Sequence, residues 1–195
     1  MSVNPGLRLE NRIDVVLALL GAGGVTEHEA EPVVGITRLM KLLFLLQEEA
    51  GIKEALREEY FDFQPYDAGP FDARVYDAIE FLKDLKLVEA ERTPQSAVED
   101  AVERSHVVEQ VGIDAEDDDQ YTPPEAFRLT RIGQDVARQL LEKMPEDTRR
   151  MLEQVKRQYN VMPLRDLLRH VYTRYPSSAT RSKIRAELGL EKDRD

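Results

Sequence analysis

Apolar residues return every three or four positions over much of this chain, a spacing that predicts helices. Ile13, Val16, Leu17 and Leu20 mark the first, and Gly21, Gly23 and Gly24 stop it. The second runs from Ile36 to Gln47. Its Leu39, Met40, Leu42, Leu43, Phe44, Leu45 and Leu46 surround nearly the whole circumference, which predicts burial on most sides, with Lys41 the exception. An ammonium in that position needs water or a carboxylate, so a structural ion pair is expected there rather than a catalytic amine. Residues 52–59 read as a short charged helix. Tyr60 to Tyr66 alternates aromatic and polar residues, which predicts a short strand that Pro65 ends. Beyond the Ala68-Gly69-Pro70 turn, Asp72 suits the N-cap of a third helix, with Val75, Ile79 and Leu82 on one face and its end near Lys86.

Two strands come next, Leu87 to Ala90 and Ala126 to Leu129. Thr130 suits the N-cap of a helix with the stripe Ile132, Val136, Leu140 and Met144. Pro145 with Glu146 and Asp147 opens another, whose stripe is Met151, Leu152, Val155 and Tyr159. Pro163 opens a further one, with Leu164, Leu167, Leu168, Val171, Tyr172 and Tyr175 on one face, and Pro176 ends it. Residues 178–188 predict a short last helix.

Helix, buried helix, amphipathic helix, strand, long loop, strand, helix is the order of a winged helix. The predicted fold class is mainly α: a winged-helix-like core with a small β-hairpin wing and added C-terminal helices. Residues 1–144 form the winged-helix-like domain, with an acidic insertion at 92–125, and residues 145–195 form a C-terminal helical extension. The insertion lacks a strong period and carries Asp117-Asp118-Asp119 and Pro123-Pro124, so it reads as an extended wing tip with one weak hairpin at 105–111. Phe127-Arg128-Leu129-Thr130-x-x-Gly133 is similar to the wing-to-helix junction of many winged-helix regulators.

Composition narrows the functions. Of 195 residues, 42% are hydrophobic and 33% charged, which excludes disorder throughout. The longest apolar run, Val15 to Leu20, is too short for a membrane span, and the first ten residues lack a signal-peptide core. With no cysteine, disulfides, thiolate metal sites and a cysteine nucleophile are excluded, and a cytoplasmic location is expected. The net charge of −11 divides as −9 over residues 1–91, −8 over 92–127 and +6 over 128–195. The overall sign opposes non-specific affinity for DNA, whereas the basic last third keeps nucleic acid open as a partner. That third equally suits an acidic partner, a second copy, or plain solubility.

One local pattern is more particular. Lys41-Leu42-Leu43-Phe44 is followed by Phe63-x-Pro65-Tyr66-x-x-Gly69-Pro70-Phe71 and then by Tyr76. This resembles the SocA-like antitoxin (Panacea) domain and the related YwgA-like prokaryotic proteins, in which a K-L-L-[FY] helix precedes an aromatic strand, a Gly-Pro turn and a helix with an early Tyr. The resemblance covers about residues 36–90 and the Phe127 to Thr130 junction; the acidic insertion and the two added helices depart from it. It implies a helix-rich module that binds a protein partner, as antitoxins and phage-associated proteins do. The partner-binding candidates are Tyr66, Gly69, Pro70, Phe71 and Tyr76. The same residues also suit a second role, sealing the base of the third helix.

Other constellations are weaker. The third helix carries Asp72, Arg74, Asp77, Glu80, Lys83 and Asp84, a net negative set that would repel a phosphate backbone. If nucleic acid is bound, the candidates are Arg149, Arg150, Arg165, Arg169, Arg174, Arg181 and Lys183, with Tyr172 and Tyr175 nearby, although those tyrosines fall on the apolar stripe. The stripe from Leu164 to Tyr175 must cover either this chain's own core or the same helix of a second copy, and a homodimer is expected. Asp114-x-Glu116-x-Asp118 lacks the glycine of a calcium loop, Glu27-His28-Glu29-x-Glu31 has one imidazole, and His106 and His170 stand apart, so no metal site is expected. No phosphate-binding or nucleophile-elbow motif occurs, and neither a cofactor nor an enzymatic activity is expected. The sequence thus favours a protein-binding module; the alternative is a dimeric DNA-binding transcriptional regulator.

Overall fold

A computed structural model of the chain describes residues 11–25, 30–49, 60–66, 69–92, 125–181 and 188. The short charged helix at 52–59, the hairpin at 105–111, the acidic motifs at 27–29 and 114–119, and His106 lie outside these residues. Helix α1 spans Arg12–Gly21, capped by Asn11, whose side chain accepts from the Asp14 N–H. Strand β1 is only Val33–Val34. Helix α2, Ile36–Glu48, is buried from Thr37 through Leu46, as its all-round apolar pattern requires. Strands β2 (Gln64–Tyr66) and β3 (Gly69–Phe71) form a separate hairpin. Helix α3 spans Arg74–Asp84, strand β4 Val88–Arg92 and strand β5 Glu125–Leu129. Helices α4 (Arg131–Lys143), α5 (Glu146–Tyr159) and α6 (Leu164–Arg174) follow, then a 3₁₀ turn, Pro176–Ala179.

The protein is mainly helical with a small antiparallel sheet. In the larger sheet β5 lies between β1 and β4, antiparallel to both. With α1, β1, α2, α3, β4 and β5 in that chain order, this is the strand pairing of a winged helix, and β4–β5 is the wing. Local signals hold it in register. Thr130 Oγ accepts from the Gly133 N–H at 3.0 Å and donates to the Lys86 carbonyl at 2.7 Å, tying the end of the wing to the end of α3. Lys86 adopts a left-handed φ of 57°, and the Leu87 N–H bonds back to Leu82 O, closing α3 with a Schellman-type turn.

The structure corrects or narrows three sequence expectations. Pro65 does not end its strand; it pairs with Pro70 across the hairpin. Neither proline has an N–H, and between the flanking pairs Gln64–Phe71 and Tyr66–Gly69 the alternation of an antiparallel ladder requires none there. The inner face of α4 takes only the second half of the expected stripe: Met144 is buried and Leu140 packs against the core. Gly133 and Ala137 are buried, while Ile132 is 62% and Val136 39% exposed. A Cβ on Gly133 would meet Leu87 O at 1.9 Å, and one on Gly21 would meet Ala137 Cβ at 2.5 Å. Helix α4 therefore approaches α1 and the wing too closely for large side chains. Third, Leu164, Leu167, Leu168, Val171 and Tyr172 are buried in one cluster with α1, α2 and α3 residues. The stripe on α6 covers this chain's own core, one of the two covers that its pattern allows.

Two buried cations attach the C-terminal helices to that core. Arg38 of α2 donates through Nη1 to the carbonyls of Tyr159 (3.4 Å), Asn160 (3.1 Å) and Met162 (2.6 Å), where α5 ends, and through Nε to Val34 O (3.3 Å). Lys156 of α5 is fully buried and donates to Leu20 O, in the last turn of α1, at 2.6 Å. Both satisfy carbonyls that a helix leaves without intrahelical donors, at the negative end of its dipole. Burial pushes the Lys156 ammonium down to about 7, against the pull of the Glu31 carboxylate.

Two predictions follow from these contacts. Arg38→Ala should destabilise the fold by about 3 kcal/mol in urea unfolding, since it leaves buried carbonyls unpaired, and Arg38→Lys should recover only part of that. For Lys156 the unfolded chain holds its proton up to the ordinary value of 10.5, whereas the folded chain releases it near 7. Between these limits the unfolded state binds more protons, so stability should rise with pH from about 7 to about 10.5, and Lys156→Met should remove that rise.

Candidate functional site

The hairpin is anchored from three sides. Lys41, fully buried in α2, donates to the Pro70 carbonyl at 2.9 Å. This main-chain contact brings the ammonium onto the hairpin. Gly69 has φ +86°, and a Cβ there would lie 2.5 Å from Tyr172 Cε1 of α6. Glycine is thus required both by the backbone conformation and by the close approach of an aromatic ring. Asp72, just after β3, accepts from the Asp62 N–H (2.6 Å) and the Arg74 N–H (2.9 Å), and its carboxylate takes two guanidinium nitrogens of Arg74. Burial raises the pKa of this carboxyl, but the bonds from Arg74 and Asp62 outweigh it and hold it below the ordinary value. Asp72 O also accepts from the Val75 N–H, so Asp72 caps α3 as its position in the sequence suggests.

Of the five partner-binding candidates, Gly69 and Pro70 are buried and serve this anchoring. The other three come together. Tyr66 and Phe71 have ring centroids 5.3 Å apart, and Phe71 and Tyr76 6.1 Å, forming a half-buried aromatic run from the hairpin onto α3. A second set, Phe61, Phe63, Phe44 and Tyr175, packs ring to ring behind the hairpin, and Phe44 meets Phe63 and Tyr175 edge-on. Sealing and presentation are therefore divided among neighbouring residues of one motif.

Helix α3 continues this surface. Val75, Ala78, Ile79 and Leu82 face the core. Tyr76 is half-buried and packs against the core at its edge, while Asp77, Glu80, Phe81, Asp84 and Leu85 are exposed. The two cations of the helix are engaged: Arg74 with Asp72 at 2.7 Å and Lys83 with Glu80 at 2.9 Å. Hydrogen bonding to Glu80 raises the Lys83 ammonium against its desolvation, with Glu125 and Asp84 adding to the rise. The helix that a winged-helix reader would set into a major groove thus presents carboxylates around two apolar side chains.

The basic candidates are placed differently. Arg149 pairs with Glu146 at 2.5 Å and Glu153 at 3.8 Å, Arg150 with Glu146 at 3.1 Å, and Arg169 with Asp166 at 2.9 Å. Arg165, Arg174 and Arg181 are exposed, and Lys183 lies outside the described residues. A surface groove of about 390 Å³ on α5 is lined by Arg150, Glu153, Gln154, Arg157 and Gln158. There Arg157 donates to Gly24 O at 3.2 Å, so both arginines of this groove already have partners.

The sequence did not signal a polar cluster at the far side of the core. Tyr159 OH donates to Glu49 Oε2 at 2.5 Å, and His170 Nε2 lies 3.0 Å from Glu49 Oε1 and 3.2 Å from Tyr159 OH. Burial and the adjoining carboxylate push the Tyr159 phenol well above its ordinary value. The cluster ties the end of α2 to α5 and α6; three residues so far apart in sequence carry no local pattern that would reveal it. Among the described residues no three His, Asp or Glu side chains are grouped to hold a metal ion, and no helix is long and apolar enough to cross a membrane.

Comparison with protein-family models, curated proteins and solved structures gives no significant match.

The anchoring of the hairpin is testable at one residue. Gly69→Ala should cost at least about 1–2 kcal/mol in thermal or urea unfolding, because alanine resists a left-handed backbone and its methyl meets Tyr172. A fully stable Gly69→Ala protein would contradict this placement.

Proposed function

We propose that this protein is a non-enzymatic winged-helix interaction module of the cytoplasm, antitoxin- or adaptor-like, which acts by binding a protein partner. The observation that carries this reading is the solvent face of α3. In a fold built to present that helix, its exposed charges are Asp77, Glu80 and Asp84, and its cations are held by Asp72 and Glu80. Such a face repels phosphates and attracts basic protein surface. The aromatic run Tyr66, Phe71 and Tyr76 beside it supplies apolar contact. The resemblance of the Lys41 to Phe44 and Phe63 to Tyr76 motifs to SocA-like antitoxins supports the same reading.

The second reading is a dimeric DNA-binding regulator. The winged-helix topology and the exposed Arg165, Arg174 and Arg181 favour it. One experiment separates the two: fluorescence anisotropy with duplex DNA from the gene's upstream region, against excess random duplex, at about 50 and about 200 mM salt. The module reading expects no binding, or binding lost at the higher salt. Binding that survives both competitor and salt would overturn it in favour of the regulator.

A further inference from the structure

We propose that the outer face of α3 docks a cationic amphipathic helix of a partner protein, with Phe81 and Leu85 as its apolar anchor and Asp77, Glu80 and Asp84 as its acidic rim. This rests on the reading as a protein-interaction module and names what that module receives.

Phe81 and Leu85 are 50% and 51% exposed, although both side chains are large and apolar. A single exposed apolar residue is ordinary. These two lie one helical turn apart on the same side, which makes a ridge about as long as one turn of a partner helix. Asp77 stands one turn before Phe81, and Glu80 and Asp84 form a second i, i+4 pair alongside; all three are exposed. Lys83 is half-buried and held by Glu80, so it leaves the acidic sign of the face intact. The chemistry complementary to an apolar ridge flanked by carboxylates is a leucine-type stripe flanked by lysine or arginine. The same charge disfavours duplex nucleic acid and anionic lipid surfaces.

The probe is a fluorescein-labelled helical peptide of about 18 residues made only of leucine and lysine, with leucines at i, i+3, i+4 and i+7. A scrambled peptide of the same composition is the control. The inference expects the patterned peptide to bind and the scrambled one to bind at least about tenfold more weakly. Phe81→Ser with Leu85→Ser should weaken the patterned peptide about tenfold or more. Asp77→Asn, Glu80→Gln and Asp84→Asn together should weaken it and flatten its salt dependence. All five positions are exposed, so these variants should keep the wild-type circular dichroism and melting temperature. Ile132→Ser with Val136→Ser, on the exposed side of α4, should leave binding unchanged.

Equal binding of the two peptides, or α3 variants that bind as tightly as wild type, would overturn the inference. Light scattering of the protein alone tests the other occupant: a doubled mass abolished by Phe81→Ser would assign the face to a second copy and overturn it as well. A failed peptide experiment alongside absent duplex binding leaves the module reading standing without this surface. Competitor-resistant duplex binding removes the module reading itself.

Discussion

Buried cations bonded to main-chain carbonyls are the interaction on which the rest of this structure depends. Arg38 receives the end of α5, Lys156 the end of α1, and Lys41 the Pro70 carbonyl of the hairpin. Each comes from a different element than the carbonyl it satisfies, so each joins two parts of the chain. A buried carbonyl without a donor costs about as much as a lost hydrogen bond, and a buried ammonium without acceptors costs more. Bringing the two together gives each carbonyl its donor, although at Lys156 burial still outweighs the bond and pushes the ammonium down to about 7. It also restricts relative motion, since sliding either element would expose both groups to unmet desolvation.

Through these bonds the C-terminal helices become part of the winged-helix core. Leu152, Val155 and Tyr159 of α5 and the α6 stripe belong to the same cluster as Val16, Leu43 and Ile79. Tyr172 then rests on Gly69, and the hairpin is pressed against the base of α3. Arg38, Lys41 and Lys156 are drawn inward, and Arg74 and Lys83 are held in ion pairs, while α3 keeps carboxylates outward. The same arrangement that stabilises the domain leaves Asp77, Glu80 and Asp84 on the outer face of α3.

Much of the architecture is legible in the sequence because it is written in local signals. Asp72 and Thr130 cap the helices they precede, the circumference of α2 announces its burial, and the two wing strands bracket a stretch of different composition. What is not legible depends on distant partners. Strand β1 is two residues long and exists only because β5 pairs with it. The role of Arg38 depends on the three carbonyls that the end of α5 supplies from more than 120 residues away. The inner face of α4 is set by Gly133 and Ala137, small residues that allow close approach, so a reading by hydrophobicity selects Ile132 and Val136 instead. For the site, the aromatic run Tyr66, Phe71 and Tyr76 is visible as a motif. Phe81 and Leu85 are not, because in sequence they pass for the edge of an ordinary amphipathic stripe.

Native-state hydrogen exchange tests the account most directly, read as the opening free energy of amides in α5 and α6 against those in α1 and α2. If buried cations join the C-terminal helices to the core, the most protected amides of all four helices open together, at the free energy of global unfolding. Exchange of α5 and α6 at a distinctly lower free energy, with α1 and α2 still protected, would show an appended unit that opens on its own and would contradict the account.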